Sequence, residues 1–478
     1  MQIAELIKLI KNQEIRGLSS NSRRVKKNSI FVAVKGASED GSKFIAAAME
    51  RGAKFIVCDS RVKVSCPGSA EIIRVKDTRL ALAGLADQFY GNPSHKVKVI
   101  GITGTNGKTT VTYLLEAVLK EAKFSSGVIG TLNYRFKDKV IPAKNTTPGP
   151  LELQSLLARM EKEKIKFALV EVSSHALDQE RVGGVRFHSA IFTNLTRDHL
   201  DYHKTPQRYF KAKLKLFKNL GANSFAVINN DDRHAGRIQK ITHAKVVTYG
   251  IDSRAEVSAQ DIKFDLRHTE FKLLFYGREI KFRINLIGRH NVYNALACIA
   301  WALKAGIRLE AIKSALENFS LVPGRLERIN SPKGFYVFVD YAHTDDALKN
   351  VLTTLRQLSP RKIITLFGCG GERDRFKRPK MGRVVTALSN FAVITSDNPR
   401  SEDPADIIRD IRKGIKKNNY CAIPDRKRAI QKALSLAGRG DIVLLAGKGH
   451  ENYQVFKNKT VHFDDREEVK RCLKFPNY

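Results

Sequence analysis

The sequence contains few cysteines, and none of them are closely paired. Its 478 residues include six cysteines with no CxxC spacing, which argues against a structural zinc site or a disulfide framework and favours a reducing compartment. No apolar run approaches the roughly 20 residues needed to span a bilayer. The N-terminus resembles an amphipathic helix with Ile3, Leu6, Ile7 and Ile10 on one face, too polar for a signal peptide. We therefore expect a soluble, cytoplasmic protein.

Acidic residues are also few. There are 48 Asp and Glu residues against 84 Lys and Arg residues, which gives a formal net charge of +36. A strongly basic chain can bind nucleic acid, can carry an ordinary solvated basic surface, or can attract polyanionic substrates. The basic residues are dispersed, no basic tail is present, and aromatic residues make up only 8% of the chain. These features disfavour a nucleic-acid partner, and substrate attraction accounts for only part of the excess.

The order of apolar runs predicts several α/β domains. At about 150 residues per domain, a chain of this length should form two to four domains. Short apolar runs alternate with longer helical patterns, which is typical of parallel α/β architecture. Two series of strand-like runs are present: 97–103, 167–172, 190–194 and 224–229, then 336–341, 362–368, 391–395 and 441–447.

One predicted strand leads into a glycine-rich loop that opens a helix. The loop, Gly104-Thr105-Asn106-Gly107-Lys108-Thr109-Thr110, differs from the strict P-loop pattern, which would place glycine at Ile102. Its glycines let backbone N–H groups approach phosphate oxygens, and the helix N-terminus attracts anions. Lys108 can reach the terminal phosphates, and Thr109 can bind Mg²⁺. We predict a nucleotide site here, against the alternative of an ordinary turn.

Polar residues stand at the carboxyl ends of both series of predicted strands. Glu171, Asn194, Asp340, Asp397 and Lys448 are examples, and open parallel sheets bind ligands at that edge. A carboxylate and a histidine beside the loop threonine could form a Mg²⁺ shell, although a lone histidine is more often a structural hydrogen-bonding group. The pattern therefore predicts two α/β domains that share a cleft, preceded by a smaller α/β domain.

Eight segments together resemble the Mur ligases of peptidoglycan synthesis. They are GTNGKTT, EVSSH, NLTRDHLDYH, GRHNVYN, PGRLE, VDYAHTDDAL, FGCGGERD and GKGHE, and their order and spacing cover essentially the whole chain. Within the family they look like the branch that extends UDP-N-acetylmuramoyl-L-alanyl-D-glutamate by a diamino acid. The resemblance implies a UDP-substrate-binding domain at 1–95, a central P-loop-type ATP-binding domain at 96–324 and a Rossmann-like amino-acid-binding domain at 325–478.

The resemblance also implies a reaction. ATP phosphorylates the D-Glu γ-carboxylate to an acyl phosphate, and the incoming amine then displaces phosphate, so catalysis consists mostly of positioning and charge neutralisation. Lys108 would stabilise the transferring phosphoryl group, and Thr109, Glu171 and His199 would hold Mg²⁺. Nucleotide contacts would include the whole glycine-rich loop, Asn294, Arg325 and Asp340.

Lys213 matches the family's carbamylated lysine. Reaction of a neutral amine with CO₂ would turn a cation that repels Mg²⁺ into an anionic metal ligand. Residue chemistry alone does not choose among Lys211, Lys213 and Lys215, and each could be a surface lysine on a helix. Only the resemblance selects Lys213.

Contacts to the muramoyl dipeptide substrate are implied in the same way. They fall in the first domain and after the central strands, at Ser22, Asn145, Thr146, Thr147, Ser173, Gln179 and Arg181. Ala37 stands where some relatives have histidine, which leaves the details of the uracil end open.

The segment Asp397-Asn398-Pro399-Arg400 is expected to select the amino acid. Arg400 can bind the extra carboxylate of meso-diaminopimelate in a bidentate fork, whereas a lysine substrate would leave the guanidinium unpaired. The simpler alternative is a surface or helix-capping arginine. In the family, the other contacts to this amino acid correspond to Arg373, Gly447 and Glu451, the last accepting from the distal ammonium.

Three alternative functions stay open at this point. They are the same ligation with L-lysine, a folylpolyglutamate synthetase-like ligase, and a basic nucleic-acid-binding protein with a vestigial ATPase fold. The N-terminal domain and the 397–400 segment argue against the second, and the intact catalytic positions argue against the third. We expect a monomer that binds ATP, Mg²⁺, the UDP-muramoyl dipeptide and meso-diaminopimelate, without a membrane or nucleic-acid partner.

Overall fold

The computed structural model describes residues 7–8, 15–36, 39–64 and 70–474. Most of the predicted N-terminal helix lies outside these ranges, although Ile7 and Lys8 are helical. Ala37 also lies outside the described residues. Within the described ranges, no helix is long and apolar enough to cross a membrane.

The N-terminal part contains a parallel four-stranded sheet in the order β1-β2-β3-β4. Its first long helix starts at Asp77, whose carboxylate accepts hydrogen bonds from the N–H groups of Arg79 and Leu80 and so caps the helix. Its elements are β1 Gly17–Ser19, β2 Ser29–Val32, α1 Ile45–Glu50, β3 Ala53–Asp59, β4 Glu71–Val75 and α2 Thr78–Phe89.

The central part is an eleven-stranded sheet in the order β15-β14-β13-β12-β11-β10-β5-β9-β6-β7-β8. The strands from β13 to β6 in this order are parallel, and antiparallel hairpins extend both edges. The strands are β5 Lys98–Thr103, β6 Ser126–Ile129, β7 Asn133–Phe136, β8 Lys139–Pro142, β9 Phe167–Glu171, β10 Phe187–Phe192, β11 Phe225–Asn229, β12 Lys245–Gly250, β13 Val257–Phe264, β14 Thr269–Phe275 and β15 Arg278–Ile284.

Helices cover both faces of this sheet, which explains the almost continuous apolar strands. Ile100 and Ile102 of β5 are fully buried on one face, and Val99 is fully buried on the other. Each such side chain contributes about 1.5–3 kcal/mol to folding. The helices are α3 Lys108–Glu121, α4 Pro150–Lys162, α5 Ser174–Asp178, α6 Leu200–His203, α7 Pro206–Lys218, α8 Ala235–Ile241, α9 Arg289–Lys304 and α10 Leu309–Asn318.

The C-terminal part has a six-stranded sheet in the order β16-β17-β21-β18-β19-β20, parallel except for β16, and a separate hairpin of β22 and β23. Its elements are β16 Glu327–Asn330, β17 Tyr336–Asp340, α11 Asp345–Gln357, β18 Ile363–Phe367, α12 Lys377–Leu388, β19 Phe391–Ile394, α13 Pro404–Arg412, β20 Tyr420–Ala422, α14 Arg426–Ser435, β21 Ile442–Ala446, β22 Tyr453–Val455, β23 Thr460–His462 and α15 Asp465–Lys474.

The predicted α/β class with parallel sheets is confirmed, and every strand of the two predicted series is present within a few residues of its expected bounds. The domain division at 95/96 and 324/325 stays a prediction. These positions fall between α2 and β5 and between α10 and β16. The loops that follow strands of the central and C-terminal sheets contact each other. In one such contact, Asn106 Nδ2 donates to Asp346 Oδ2 at 3.0 Å.

Candidate active site

The glycine-rich loop joins β5 to α3, as its sequence predicts. Gly104 has φ +151°, and a Cβ there would lie 1.9 Å from Thr193 Oγ1. Gly107 has φ +87°, and its Cβ would lie 2.3 Å from Asn294 Oδ1. Both positions therefore require glycine. The contact also brings Asn294 of α9, a predicted nucleotide residue, against the loop.

Two lysine ammonium groups converge on one carbonyl of this loop. Lys108 Nζ donates to Gly104 O at 3.0 Å and to Thr105 O at 2.9 Å, and Lys213 Nζ donates to Gly104 O at 2.8 Å. Lys213 is only 2% exposed. Burial, with repulsion from Lys108, lowers its pKa well below the ordinary lysine value. Burial likewise lowers the pKa of Lys108. A negative charge bound beside the loop would therefore stabilise both lysines in their charged form.

A buried carboxylate stands beside the loop threonine. Glu171, the last residue of β9, is fully buried, and its Oε2 accepts from Thr109 Oγ1 at 2.9 Å. The backbone N–H of Thr131 donates to Glu171 Oε1 at 3.1 Å, and the Thr131 hydroxyl donates to Oε2 at 2.8 Å. Thr131 was not predicted. Its carboxylate contact fixes the orientation of Glu171 toward Thr109.

His199 lies in the loop before α6 with a left-handed backbone, φ +53°. Its ring is packed edge-on against His175, with ring centres 4.7 Å apart, and its Nε2 is 3.3 Å from Asp198 Oδ2. Loss of hydration lowers the pKa of His199 below the ordinary histidine value, against the attraction of Asp198. The imidazole is therefore neutral at physiological pH and able to bind a cation.

The connection to the C-terminal sheet brings a further cation to the loop. Arg325 Nη2 lies 3.4 Å from Thr109 Oγ1, and its guanidinium stacks 4.8 Å from the centre of the Tyr341 ring. Asp340, at the end of β17, accepts from the backbone N–H groups of Leu326 at 2.6 Å and Ala342 at 2.7 Å. Asp340 thereby fixes the turn that presents Arg325.

A cavity of about 470 Å³ connects the central and C-terminal sheets. Its central wall includes five of the predicted dipeptide contacts and His199, and the opposite wall includes six of the predicted amino-acid contacts. These residues are Asn145, Thr146, Thr147, Ser173, Arg181, His199, Arg373, Asp397, Asn398, Arg400, Gly447 and Glu451. Segments more than 200 residues apart in sequence thus line one space.

At the far end of the cavity, Arg400 has a left-handed backbone, φ +55°, a conformation that costs a non-glycine residue about 1–3 kcal/mol. Its backbone N–H donates to Val455 O at 3.0 Å, and its Nη1 donates to Gly371 O at 2.7 Å. Asn398 Nδ2 donates to Glu451 Oε2 at 2.9 Å. The guanidinium and the Glu451 carboxylate thus offer charges of opposite sign to one ligand.

Comparisons with known proteins agree with this architecture. Residues 14–90 match the Mur ligase family, catalytic domain; residues 102–302 match the Mur ligase middle domain; and residues 324–449 match the Mur ligase, glutamate ligase domain. A Clostridium acetobutylicum protein named UDP-N-acetylmuramoyl-L-alanyl-D-glutamate--2,6-diaminopimelate ligase 1 is 46% identical over 97% of this chain and 95% of its own length. The chain belongs to the Mur ligase family.

Other relatives of this Mur ligase extend the comparison. A Geobacter sulfurreducens protein of the same name, without the numeral, is 44% identical over 96% of this chain and 94% of its own. A solved structure of such a 2,6-diaminopimelate ligase has a TM-score of 0.70 and 33% identity, covering 98% and 96% of the two chains. The folylpolyglutamate synthase of Mycobacterium tuberculosis has a TM-score of 0.63 at 18% identity, covering 77% of this chain and 92% of its own, a likeness that shows the fold alone.

Some predicted residues of the Mur ligase lie away from the cavity lining. Ser22 lies in a short 3₁₀ turn of the N-terminal part. Gln179 Oε1 accepts from Arg181 at 2.8 Å and so supports a lining residue. Pro399 links two lining residues. Among the described residues, no three His, Cys, Asp or Glu side chains are grouped as a metal site, so the predicted shell depends on Thr109 and a modified Lys213.

Several residues that line the cavity of this Mur ligase were not predicted from the sequence. They include His175, Asp198, Tyr341, His343, Lys377 and His450. Five of these six stand inside the motifs that carried the family resemblance, so the motif boundaries themselves were the available signal. Lys377 has no such signal, because only the packing of α12 brings it to the cavity.

Proposed function

We propose that this Mur ligase adds meso-2,6-diaminopimelate to the D-Glu γ-carboxylate of UDP-N-acetylmuramoyl-L-alanyl-D-glutamate, with ATP as the energy source, in peptidoglycan precursor synthesis. It thus belongs to the MurE branch of the family. Relatives at 42–46% identity carry that activity in their names. The observation that carries the proposal is the single cavity that joins the predicted dipeptide contacts to Arg400 and Glu451.

In the first half-reaction, a γ-carboxylate oxygen of D-Glu attacks the terminal phosphorus of ATP, and ADP leaves. Lys108 and Arg325 supply positive charge at the loop, where the transferring phosphoryl group gains negative charge. The α3 N-terminus and the glycine backbone bind the remaining phosphates. These groups position the reactants, which is the main contribution of proteins to phosphoryl transfer.

The residues beside the loop fit a Mg²⁺ ion. Thr109 and Glu171 present hard oxygen atoms 2.9 Å apart, the ligand type that Mg²⁺ prefers, and neutral His199 would add a nitrogen. Mg²⁺ bound there would neutralise phosphate charge. Among the described residues, no three His, Cys, Asp or Glu side chains are grouped at this place, so a further anionic ligand would strengthen the binding of Mg²⁺.

Carbamylation of Lys213 supplies that anion. The environment of its amine lowers the pKa well below the ordinary value, so the neutral, nucleophilic form is accessible at physiological pH. Attack on CO₂ forms an N–C bond and releases a proton, which leaves a carboxylate on the side chain. Repulsion between Lys213 and Lys108 is then replaced by attraction. Lys211 is exposed and Lys215 pairs with Glu180, so neither fits this role.

In the second half-reaction, the amine of diaminopimelate attacks the acyl carbon. The tetrahedral intermediate collapses with release of inorganic phosphate, and the amine loses a proton. Arg400 and Glu451 hold the distal carboxylate and ammonium, so only one amine is presented to the acyl phosphate. Because the dipeptide and the amino acid would bind to opposite walls of one cavity, the amine is held close to the acyl carbon, and the attack resembles an intramolecular reaction.

An ATP-dependent phosphate-release assay tests the proposal. Wild-type protein, the UDP-muramoyl dipeptide and ATP are mixed with meso-diaminopimelate or with L-lysine. We expect diaminopimelate to be preferred by about a hundredfold or more in kcat/KM, because lysine leaves Arg400 unpaired. Equal use of lysine would reject the assignment of the amino acid, and release without the dipeptide would reject the acceptor. Cytoplasmic location and a monomeric state remain predictions.

A further inference from the structure

The amino-acid end of the cavity contains a second buried lysine. Lys448, in the turn after β21, has a side chain that is 0% exposed. Its Nζ donates to Asn398 Oδ1 at 3.2 Å and to the backbone carbonyl of Tyr453. It also lies 3.6 Å from Glu451 Oε2 and 3.9 Å from Asp397 Oδ1. Lys448 does not line the cavity, so it lies behind the residues that do.

This lysine is one of two donors that orient the Asn398 side chain. The Asn398 oxygen accepts from Lys448 and also from the backbone N–H of Val455, at 3.0 Å. The amide nitrogen is therefore directed to Glu451, to which it donates at 2.9 Å. Neither an ammonium nor a backbone N–H can accept a hydrogen bond, so Lys448 and Val455 together permit only this orientation of the amide.

Lys448 also balances charge behind the cavity wall. Asp397 and Glu451 repel each other, and burial together with that repulsion raises the pKa of Glu451 while Lys448 lowers it. Without the ammonium, the pKa of the Glu451 carboxyl group would rise further. A protonated Glu451 would bind a substrate ammonium poorly, because the ion pair would be lost.

We infer that Lys448 is a positioning residue for the distal ammonium of the amino-acid substrate, acting through Asn398 and Glu451. The inference rests on the proposed function, since it assumes a diamino acid in this end of the cavity. Lys448 itself does not touch the substrate. It keeps Glu451 in the ionised, correctly oriented form before the substrate arrives, so the effect is on affinity rather than on phosphoryl transfer.

Other charged or titratable groups face Glu451 and are unchanged by a substitution at Lys448. They are Asp397, Arg400, Tyr341, Tyr453 and Arg426. Two of these are cations that also favour the carboxylate, so loss of Lys448 should weaken substrate binding without abolishing it. Arg426 itself is bound bidentately by Asp465 deeper in the fold.

The test compares Lys448→Met with wild-type protein in steady-state kinetics. We expect the KM for diaminopimelate to rise about thirtyfold, while kcat and the KM values for ATP and the UDP-muramoyl dipeptide change less than threefold. The pH dependence gives a second readout, because removal of this cation raises the pKa of Glu451. In the variant, KM should fall as pH rises across a window displaced to higher pH than in wild type. Lys448→Arg should recover part of the affinity.

Ile430→Ala is the matched control, because Ile430 is fully buried in the same C-terminal unit but belongs to the apolar core of α14. It should lower the melting temperature without changing the KM for diaminopimelate. An unchanged KM in Lys448→Met, or equal changes in all three KM values, would overturn the inference. Wild-type protein that fails to use diaminopimelate would reject the proposed function itself, which separates the two failures.

Discussion

Two buried lysines, one beside the glycine-rich loop and one behind the amino-acid wall of the cavity, have neighbouring charges of opposite sign. Lys213 is 2% exposed and shares the carbonyl of Gly104 with a second ammonium, that of Lys108. Lys448 is equally buried but lies within 4 Å of two carboxylates. Burial is therefore the same for both, and the neighbouring charges make the difference.

The comparison shows how one residue type acquires two roles. A lysine buried beside another cation is driven toward the neutral amine, which is reactive toward electrophiles. A lysine buried between carboxylates pairs with them and fixes their positions. The surroundings of the glycine-rich loop would thus be stabilised by an incoming anion, whereas the charges at the amino-acid end of the cavity are largely balanced before the substrate binds.

Substitution at Lys213 should produce the largest effect. Lys213→Ala removes the group that we expect to carry the carbamate, so turnover should fall by about 10³-fold or more with every amino acid. A short-chain carboxylate should restore part of the activity by occupying the vacated space. Phosphate release, measured with and without added acetate, checks both expectations.

Lys211→Ala is the matched control for this substitution, because Lys211 lies on the exposed face of the same helix. It should retain nearly full activity. Wild-type turnover in Lys213→Ala, or activity of wild-type protein that is insensitive to removal of CO₂ and bicarbonate, would contradict the carbamate and with it the contrast between the two lysines.

Arg400 provides the next largest effect, confined to the amino-acid end. Arg400→Lys keeps a positive charge but loses the guanidinium fork and its contact to Gly371 O. We expect the KM for diaminopimelate to rise about a hundredfold and the preference over L-lysine to shrink accordingly. The KM for ATP should be unaffected. Competition between the two amino acids, followed by product mass, measures the preference.

Arg409→Lys is the control for this change, because Arg409 is 69% exposed on α13. It should leave the preference unchanged. An equal rise in the KM for ATP and the KM for diaminopimelate in Arg400→Lys would show that this residue affects both substrate sites. The contrast between the surroundings of Lys213 and Lys448 would then fail.

The positions of the glycine-rich loop and Glu171 are easier to predict from sequence than the surroundings of Lys448, for physical reasons. The loop and Glu171 follow their strands directly, so local pattern was sufficient to place them. Lys213 also carried an unused signal: Tyr209, Phe210, Leu216 and Phe217 recur at helical spacing around it and are buried, which predicts that Lys213 is on the buried face.

The amino-acid end is assembled from separate turns, after β18, β19 and β21, together with the β22–β23 hairpin. Asn398 and Arg400 were predicted from their motif, but the burial of Lys448 depends on the hairpin that packs over it through the Tyr453 carbonyl. Nothing in the local pattern of GKGHE distinguishes a buried lysine from a phosphate-binding one. The charges that surround a buried lysine are set by tertiary packing and cannot be inferred from the local sequence.

A smaller effect is expected where the central and C-terminal sheets meet. Asp346, in the first turn of α11, accepts from Asn106 of the glycine-rich loop at 3.0 Å. Asp346→Ala removes this link, and the loss of one hydrogen bond to a charged group, about 1 kcal/mol net, should raise the KM for ATP about fivefold. The KM for diaminopimelate should change less, since its contacts lie elsewhere.

Asp345→Ala, one residue earlier on the same helix, is the control and should leave the KM for ATP unchanged. Equal effects of Asp346→Ala on both KM values would mean that the contact sets the spacing of the whole cavity rather than the loop alone.

The smallest effect concerns a carboxyl group remote from both lysines. Asp87 of α2 packs beside Gly184, and in the described chain its Oδ1 is buried without a hydrogen-bond partner. Burial raises the pKa of Asp87 to about 6, against the attraction of His95. The folded-state pKa lies above the unfolded value of 3.8, so ionisation destabilises the fold, and stability is lost as pH rises from about 4 to about 6.

Asp87→Asn should therefore gain stability over wild type as pH rises through that window, with the difference constant above it. Because the group is partly solvated, the gain should be no more than about 1 kcal/mol, visible as a shift in Tm measured between pH 4.5 and 7.5. Asp138→Asn, in an exposed turn, should show no such trend. Neither substitution should alter any KM, because Asp87 and Asp138 lie outside the cavity and contact neither lysine. A changed KM for diaminopimelate in Asp87→Asn would show that charges outside the C-terminal sheet also affect the surroundings of Lys448.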